Sequence, residues 1–167
     1  PILQSFSTEK NLGAGPHLVR VDYYERSGSA VAKVAWTLKS PPAMGWRGEY
    51  FNNTLLRGTP ALVRNDPEIN FTWGTGGPGK QVGTDNFSAR WTRTWDLPAG
   101  NYRFTMAMDD GARLLINGQP LLDGWSAPAT PSLQADLELP GGAVTIQMEY
   151  YERSGPALAQ LGWQKLA

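Results

Sequence analysis

Asp109-Asp110-Gly111 closes one alternating apolar run, Tyr102 to Met108, and opens another, Ala112 to Asn117. Two adjacent carboxylates therefore stand where a strand gives way to a turn. Side chains alternate faces along an extended chain, so only an unusual turn backbone aims neighbouring acids at one point. If they converge, their mutual repulsion calls for a proton, a basic partner or a divalent cation with oxygen ligands. Ordinary turn chemistry stands beside that reading, because Asp accepts bonds from nearby backbone N–H groups and Gly permits positive φ. Trp125, in the loop after Asp123-Gly124, has the amphipathic ring that stacks on the apolar face of a sugar, and it equally suits a core position.

Much other chemistry is excluded by composition. The 167 residues carry a formal net charge of zero and no Lys/Arg cluster, so the basic footprint of a nucleic-acid or acidic-membrane binder is missing. No run of apolar residues is long enough to span a bilayer, and the first residues lack the pattern of a signal peptide. Cysteine is absent, which removes disulfides, thiol catalysis and thiolate metal sites. A single histidine, His17, cannot build a multi-histidine centre and reads as a solvated turn residue. Gly74-Thr75-Gly76-Gly77-Pro78-Gly79-Lys80 has the glycine content of a phosphate loop, yet it lacks the Gly-Lys-Ser/Thr ending and a following helix. A glycosidase would need two carboxylates about 5 to 9.5 Å apart across a cleft, which adjacent aspartates do not suggest, so no enzyme is expected.

The elements that must position these residues come from a repeat. Val19-Arg20-Val21-Asp22-Tyr23-Tyr24-Glu25-Arg26-Ser27-Gly28 matches Ile146 to Gly155 at an offset of 127, with six consecutive identities in Tyr-Tyr-Glu-Arg-Ser-Gly. The likeness runs on through Ala30 and Ala157, Val34 and Leu161, and Trp36 and Trp163. A long fixed period marks an array of similar units. Residues 1–39 therefore read as the last β-hairpin of a preceding copy, residues 40–43 as a Pro-rich linker, and residues 44–167 as a complete unit. A two-stranded hairpin is marginal alone, so it is expected to dock on the complete unit or to add to the sheet of a neighbouring molecule.

Within the complete unit the apolar period is two. Tyr102, Phe104, Met106 and Met108 share a face, as do Leu133, Ala135, Leu137 and Leu139, and Val144, Ile146, Met148 and Tyr150. Asn117-Gly118 is suited to a tight hairpin turn. Trp91 and Trp95 read as core, with Arg90 satisfying a buried carboxylate. Nineteen glycines, thirteen prolines and seven tryptophans with few helix-period stretches point to an all-β, antiparallel sandwich or barrel.

In order, Gly48-Glu49-Tyr50-Phe51-Asn52, Ile69-Asn70-Phe71-Thr72-Trp73-Gly74, Asp85 to Trp91, Gly100-Asn101-Tyr102-Arg103-Phe104, Asp109 to Leu114, Asp123-Gly124-Trp125 and Tyr150-Tyr151-Glu152 resemble the PA14, or protective antigen, domain. That resemblance implies a jelly-roll-like β-sandwich. Lectin members join the adjacent aspartates by a cis peptide bond and bind calcium, whose open positions take sugar hydroxyls. By resemblance, Asp109 and Asp110 hold the ion, and the hairpin loop adds Ser154 and Gly155. Trp125, Glu152 and Arg153 then face the sugar. The loop departs from the lectin pattern in having no Asn or Gln, and Arg153 is an alternative counter-charge that would replace the ion.

The function expected on these grounds is a non-catalytic, calcium-dependent carbohydrate-binding module of an extracellular or cell-surface protein, with neighbouring repeats of the same protein as further partners. The alternative is a structural or protein-interaction repeat without a sugar ligand.

Overall fold

A computed structural model describes residues 6–8, 10, 17–28, 30–36, 45–126 and 132–167, in two units, Pro1–Pro41 and Pro42–Ala167. The expected linker at 40–43 lies outside the described residues.

The second unit is all β. Its strands are β1 (Trp46–Phe51), β2 (Leu62–Asp66), β3 (Asn70–Gly74), β4 (Phe87–Leu97), β5 (Gly100–Asp109), β6 (Gly111–Ile116), β7 (Gln119–Asp123), β8 (Ser132–Leu139), β9 (Gly142–Glu152) and β10 (Ala157–Lys165). They form two antiparallel sheets, ordered β2-β1-β4-β9-β6-β7 and β3-β10-β5-β8. This is the sandwich the alternation implies. Val144, Ile146, Met148 and Tyr150 of one sheet and Tyr102, Phe104, Met106 and Met108 of the other are all buried, while Leu133, Ala135 and Leu137 pack at the margin. Asn117 and Gly118, with φ of 51° and 80°, make the tight β6–β7 turn.

Aromatic rings fill the middle. Trp91 is wholly buried, stacked on Phe71 at 5.5 Å and edge-on to Tyr50 at 5.7 Å, and Trp73 stacks on Phe71 at 4.7 Å. Trp95 joins Trp46 and Trp163 in a second, edge-to-face group. A buried acid is threaded through the first group. Asp66 accepts from the Tyr50 hydroxyl (2.6 Å), the Trp91 indole N–H (3.0 Å) and Arg64 Nε (2.6 Å). Burial, followed by the Asp66 carboxylate, pushes the Tyr50 hydroxyl well above the usual tyrosine range, so Tyr50 stays a neutral donor.

The leading unit differs from expectation. Residues 17–28 and 30–36 contain no strand, so the extra N-terminal β-hairpin is not formed among the described residues. The physical reason lies in its side chains: Val19, Val21, Tyr23, Val34 and Trp36 are all exposed, and a lone ribbon has too little to bury for its ladder to persist.

Replacing Asp66 with Ala leaves the Tyr50 hydroxyl and the Trp91 N–H without their shared acceptor inside the sandwich. The Tyr50 hydroxyl is then without an acceptor, at a cost of about 1–3 kcal/mol, and the Trp91 N–H keeps only its 3.1 Å contact with the Tyr50 oxygen. Urea unfolding of Asp66→Ala is therefore expected to show a loss of roughly 3 kcal/mol, and a loss under about 0.5 kcal/mol would show that the network is dispensable.

Candidate functional site

Two connections that cross from one sheet to the other lie at the same end of the sandwich. Asp110 alone joins β5 to β6, and residues 153–156 join β9 to β10. The ladders bring the two crossings together, with Asp109 opposite Leu158 and Gly111 opposite Tyr151. The Asp109–Asp110 peptide is cis. Gly111 is required by close approach, since a Cβ there would lie 2.5 Å from the Tyr151 ring. A third segment arrives just ahead of β4, carrying Asp85 and Asn86.

Backbone amides tie these segments through the acids. Arg153 N–H donates to Asp110 Oδ2 (2.7 Å), Gly155 N–H donates to Asp85 Oδ1 (3.1 Å), and Asn86 N–H donates to the Arg153 carbonyl (3.2 Å). Gly155, at φ 103°, adopts the left-handed region that lets the loop turn back on itself. Asp109 is exposed, and among the described residues none donates a hydrogen bond to its carboxylate.

Glu152 lies beneath this rim, fully buried, with Oε1 lacking any partner. The Tyr150 hydroxyl is shared between the Asp109 carbonyl and Glu152 Oε2, the latter at 3.0 Å. One hydroxyl has one proton for two acceptors. A protonated Glu152 resolves the conflict by donating to the Tyr150 oxygen while Tyr150 donates to Asp109. The electrostatics agree: burial, opposed by the Tyr150 hydrogen bond and reinforced by Asp110, Asp109 and Asp85, pushes the Glu152 carboxyl up to about 7. Four acids from three chain segments thus share one end of the sandwich. Among the described residues no Lys or Arg forms an ion pair with any of them.

Each expected site residue can now be placed. Asp109 and Asp110 stand together at the rim, and Ser154 and Gly155 lie on the loop facing them. Arg153 does not insert between the aspartates; its guanidinium lies over the Tyr151 ring, 5.2 Å from the centroid. Glu152, expected at the sugar, is instead sealed under the rim and cannot touch a ligand arriving from solvent. Trp125 is half-buried, edge-on to Tyr151 at 4.8 Å, with Arg113 4.7 Å over its ring and its carbonyl accepting from the Tyr151 hydroxyl at 2.9 Å. Arg90 does satisfy a buried carboxylate, that of Glu149 at 2.8 Å, and Arg113 shares the same acid.

An oxygen-rich rim with excess negative charge suits a hard divalent cation better than a thiolate- or imidazole-seeking metal. Among the described residues no group of three or more His, Cys, Asp or Glu is disposed to hold one ion. A cation here would rest on Asp109 and Asp110, with the remaining oxygens from loop carbonyls, water or ligand hydroxyls.

A family model for the PA14 domain matches residues 42–167. The chain belongs to the PA14 domain family. It is 36% identical over 129 residues to the anti-sigma-I factor RsgI3 of Acetivibrio thermocellus, an alignment covering 76% of this chain and 20% of that protein. Among solved structures, an anti-sigma factor domain-containing protein from Clostridium clariflavum superposes with a TM-score of 0.68 at 30% identity, covering 82% of this chain and 48% of the other. A PA14 sugar-binding domain from an RTX adhesin shares the fold, with a TM-score of 0.58 at 16% identity, covering 72% of this chain and 89% of that domain. The chain thus spans a fifth of the curated relative and about half of the first of these structures.

The Asp85 carboxylate caps the Gly155 amide while adding charge to the acid cluster, a role that no feature of the sequence around it announces. Tyr150 was read as core packing alone, and its hydroxyl was missed. The available signal was the buried polar pair in Tyr150-x-Glu152, which places two polar groups on the inward face of one strand.

An acid whose folded value exceeds its ordinary 4.5 keeps its proton in the native state where the unfolded chain has already ionised. Its stabilising contribution is complete below about 4.5 and is lost as pH rises through about 7. With chelator present, the Tm of the sandwich is expected to fall between pH 5 and pH 7.5, and Glu152→Gln to flatten that slope. An unchanged slope in the variant would show that Glu152 does not carry the proton.

Proposed function

We propose that this domain is a non-catalytic, calcium-dependent carbohydrate-binding module, displayed extracellularly by a longer polypeptide. The observation that carries the reading is the acid cluster without a basic partner: Asp109 and Asp110 at the rim, Asp85 and Glu152 behind them, and Arg153 turned aside onto Tyr151. Calcium supplies the missing positive charge, and its unfilled coordination positions accept pairs of sugar hydroxyls. Asp109 and Asp110 hold the ion, and the loop through Ser154 and Gly155 is set to contribute carbonyl oxygens. Asp85 acts at one remove by fixing the loop through the Gly155 amide. Glu152 acts from below, holding Tyr150 and with it the Asp109 carbonyl.

Trp125 and Arg153 flank the rim as the side chains that touch the sugar. The Trp125 ring is already held against Tyr151 and under Arg113, so little ordering is left for binding to supply. The sugar-binding title of the RTX adhesin domain supports a glycan ligand. The likeness to an anti-sigma-I factor supports the use of such a module as the ligand-capturing part of a regulatory protein as well as of an adhesin. Affinity for a single sugar is expected to be weak, with tandem units compensating through effective concentration.

A second reading, a structural or protein-interaction repeat, rests on the recurrence of Tyr-Tyr-Glu-Arg-Ser-Gly, whose buried tyrosine and glutamate serve packing in the complete unit. Calcium separates the two. An ion bound only by the folded state raises stability by RT ln(1 + [L]/Kd), about 2.7 kcal/mol at a hundredfold excess over Kd.

Glycan-array binding in calcium is expected to vanish with chelator. Asp109→Asn removes a charge without disturbing any hydrogen bond of the loop, and should weaken calcium binding by roughly tenfold or more in calorimetry while leaving the metal-free Tm unchanged. Glycan binding that survives chelation, or a Tm indifferent to calcium, would remove the metal from the proposal.

Trp125→Ala isolates the platform. It is expected to reduce glycan affinity by roughly tenfold, about 1.4 kcal/mol, with calcium binding intact. Equal glycan affinity in that variant would assign Trp125 to packing alone.

A further inference from the structure

The leading unit repeats the sequence pattern of the end of the complete unit in different surroundings. In the complete unit, Ile146, Met148 and Tyr150 are each wholly buried, β9 being paired on both sides by β4 and β6. Their counterparts Val19, Val21 and Tyr23 are 62%, 55% and 51% exposed. Trp163 packs edge-to-face with Trp46 and Trp95, whereas its counterpart Trp36 is 81% exposed.

Two local features recur in both copies. Gly28 and Gly155 have φ of 100° and 103°. Tyr23 reaches Glu25 Oε2 at 3.3 Å as Tyr150 reaches Glu152 Oε2 at 3.0 Å. What differs is where the loop amides go. In the complete unit the amides of Arg153 and Gly155 donate to Asp110 and Asp85 on other segments. In the leading unit the amides of Arg26 and Ser27 donate to Glu25 itself, at 3.0 and 2.8 Å. Glu25 stands in for acceptors that another body would supply.

We propose that residues 17–36 are the closing pair of strands of a second sandwich. They fit one kind of partner: an eight-stranded PA14-type body that lacks its own ninth and tenth strands and carries acids at the positions of Asp85 and Asp110. In residues 42–167 the corresponding places are filled by that unit's own β9 and β10. Docking buries Val19, Val21 and Tyr23 between two neighbouring strands and gives Trp36 the ring partners that Trp163 has. It also releases the Arg26 amide from Glu25 to an aspartate, closing a second acidic rim. Charge favours this, since the loop offers amide donors where the body presents carboxylates.

The test supplies such a body. Residues 44–139 are fused ahead of Gly13, so that Gly13-Ala14-Gly15 follows them as Pro140-Gly141-Gly142 follows Leu139, and the rest of the chain to Ala167 is kept as an internal reference. Hydrogen exchange at amides 19–24 and 30–36 is expected to slow by about a hundredfold or more relative to the 167-residue chain. Tryptophan emission should shift to the blue on account of Trp36. Tyr23→Asp in the fusion should abolish that protection while the reference sandwich of residues 44–167 melts as before. Amides 19–24 and 30–36 that exchange as fast in the fusion as in the original chain, or protection indifferent to Tyr23→Asp, would overturn the assignment.

Discussion

The end of the sandwich is organised by one buried acid. Glu152 closes β9 with its carboxylate facing inward, and Tyr150, two residues earlier on the same face, bonds both to it and to the Asp109 carbonyl. Strand alternation alone puts these two side chains on one face, so the geometry of the rim follows from the period of a strand. Through Tyr150, the crossing at Asp109-Asp110 is fixed to the strand that leads into the crossing at 153–156. If either partner moved, the two sheet-crossing segments would no longer share a wall.

That arrangement separates two jobs commonly merged in reading a ligand site. Asp110 and Asp85 are occupied by the amides of Arg153 and Gly155, so each has one oxygen committed to the loop. Asp109 makes no such commitment and stands outermost. Glu152 contributes field and position without contact. The same carboxylate chemistry thus serves as a loop clasp, an exposed charge and a buried support, according to burial and hydrogen bonding.

The sandwich was legible because burial on one face writes itself as alternation. The runs around Phe104, Ile146 and Leu137 carry that signal, and Asn117-Gly118 marks its own turn. Asp109-Asp110 stood out because paired acids at a strand end are chemically conspicuous. Less legible was whatever depends on side chains meeting across long separations. Nothing local to Asp66 announces that it will sit beneath Tyr50 and Trp91, and Asp85 looks like any turn acid until Gly155, 70 residues on, donates to it. Arg153 was ambiguous for a similar reason. The choice between pairing with aspartates and stacking on Tyr151 is made by the loop backbone, which turns the Arg153 amide toward Asp110. The leading segment has the sequence pattern of strands, yet its described residues form none, because a two-stranded ribbon without a sheet to pack on has too little to bury.

If the rim holds a cation as proposed, that cation and the buried proton compete for the same field. Glu152 holds its proton to about pH 7 partly because Asp85, Asp109 and Asp110 lie close. On the proposed reading, a divalent ion at Asp109 and Asp110 cancels that repulsion and lowers the cost of ionising Glu152, so binding releases a proton when the pH lies below that value. By the same linkage, acidification weakens the ion's hold without any ligand of the ion being protonated first.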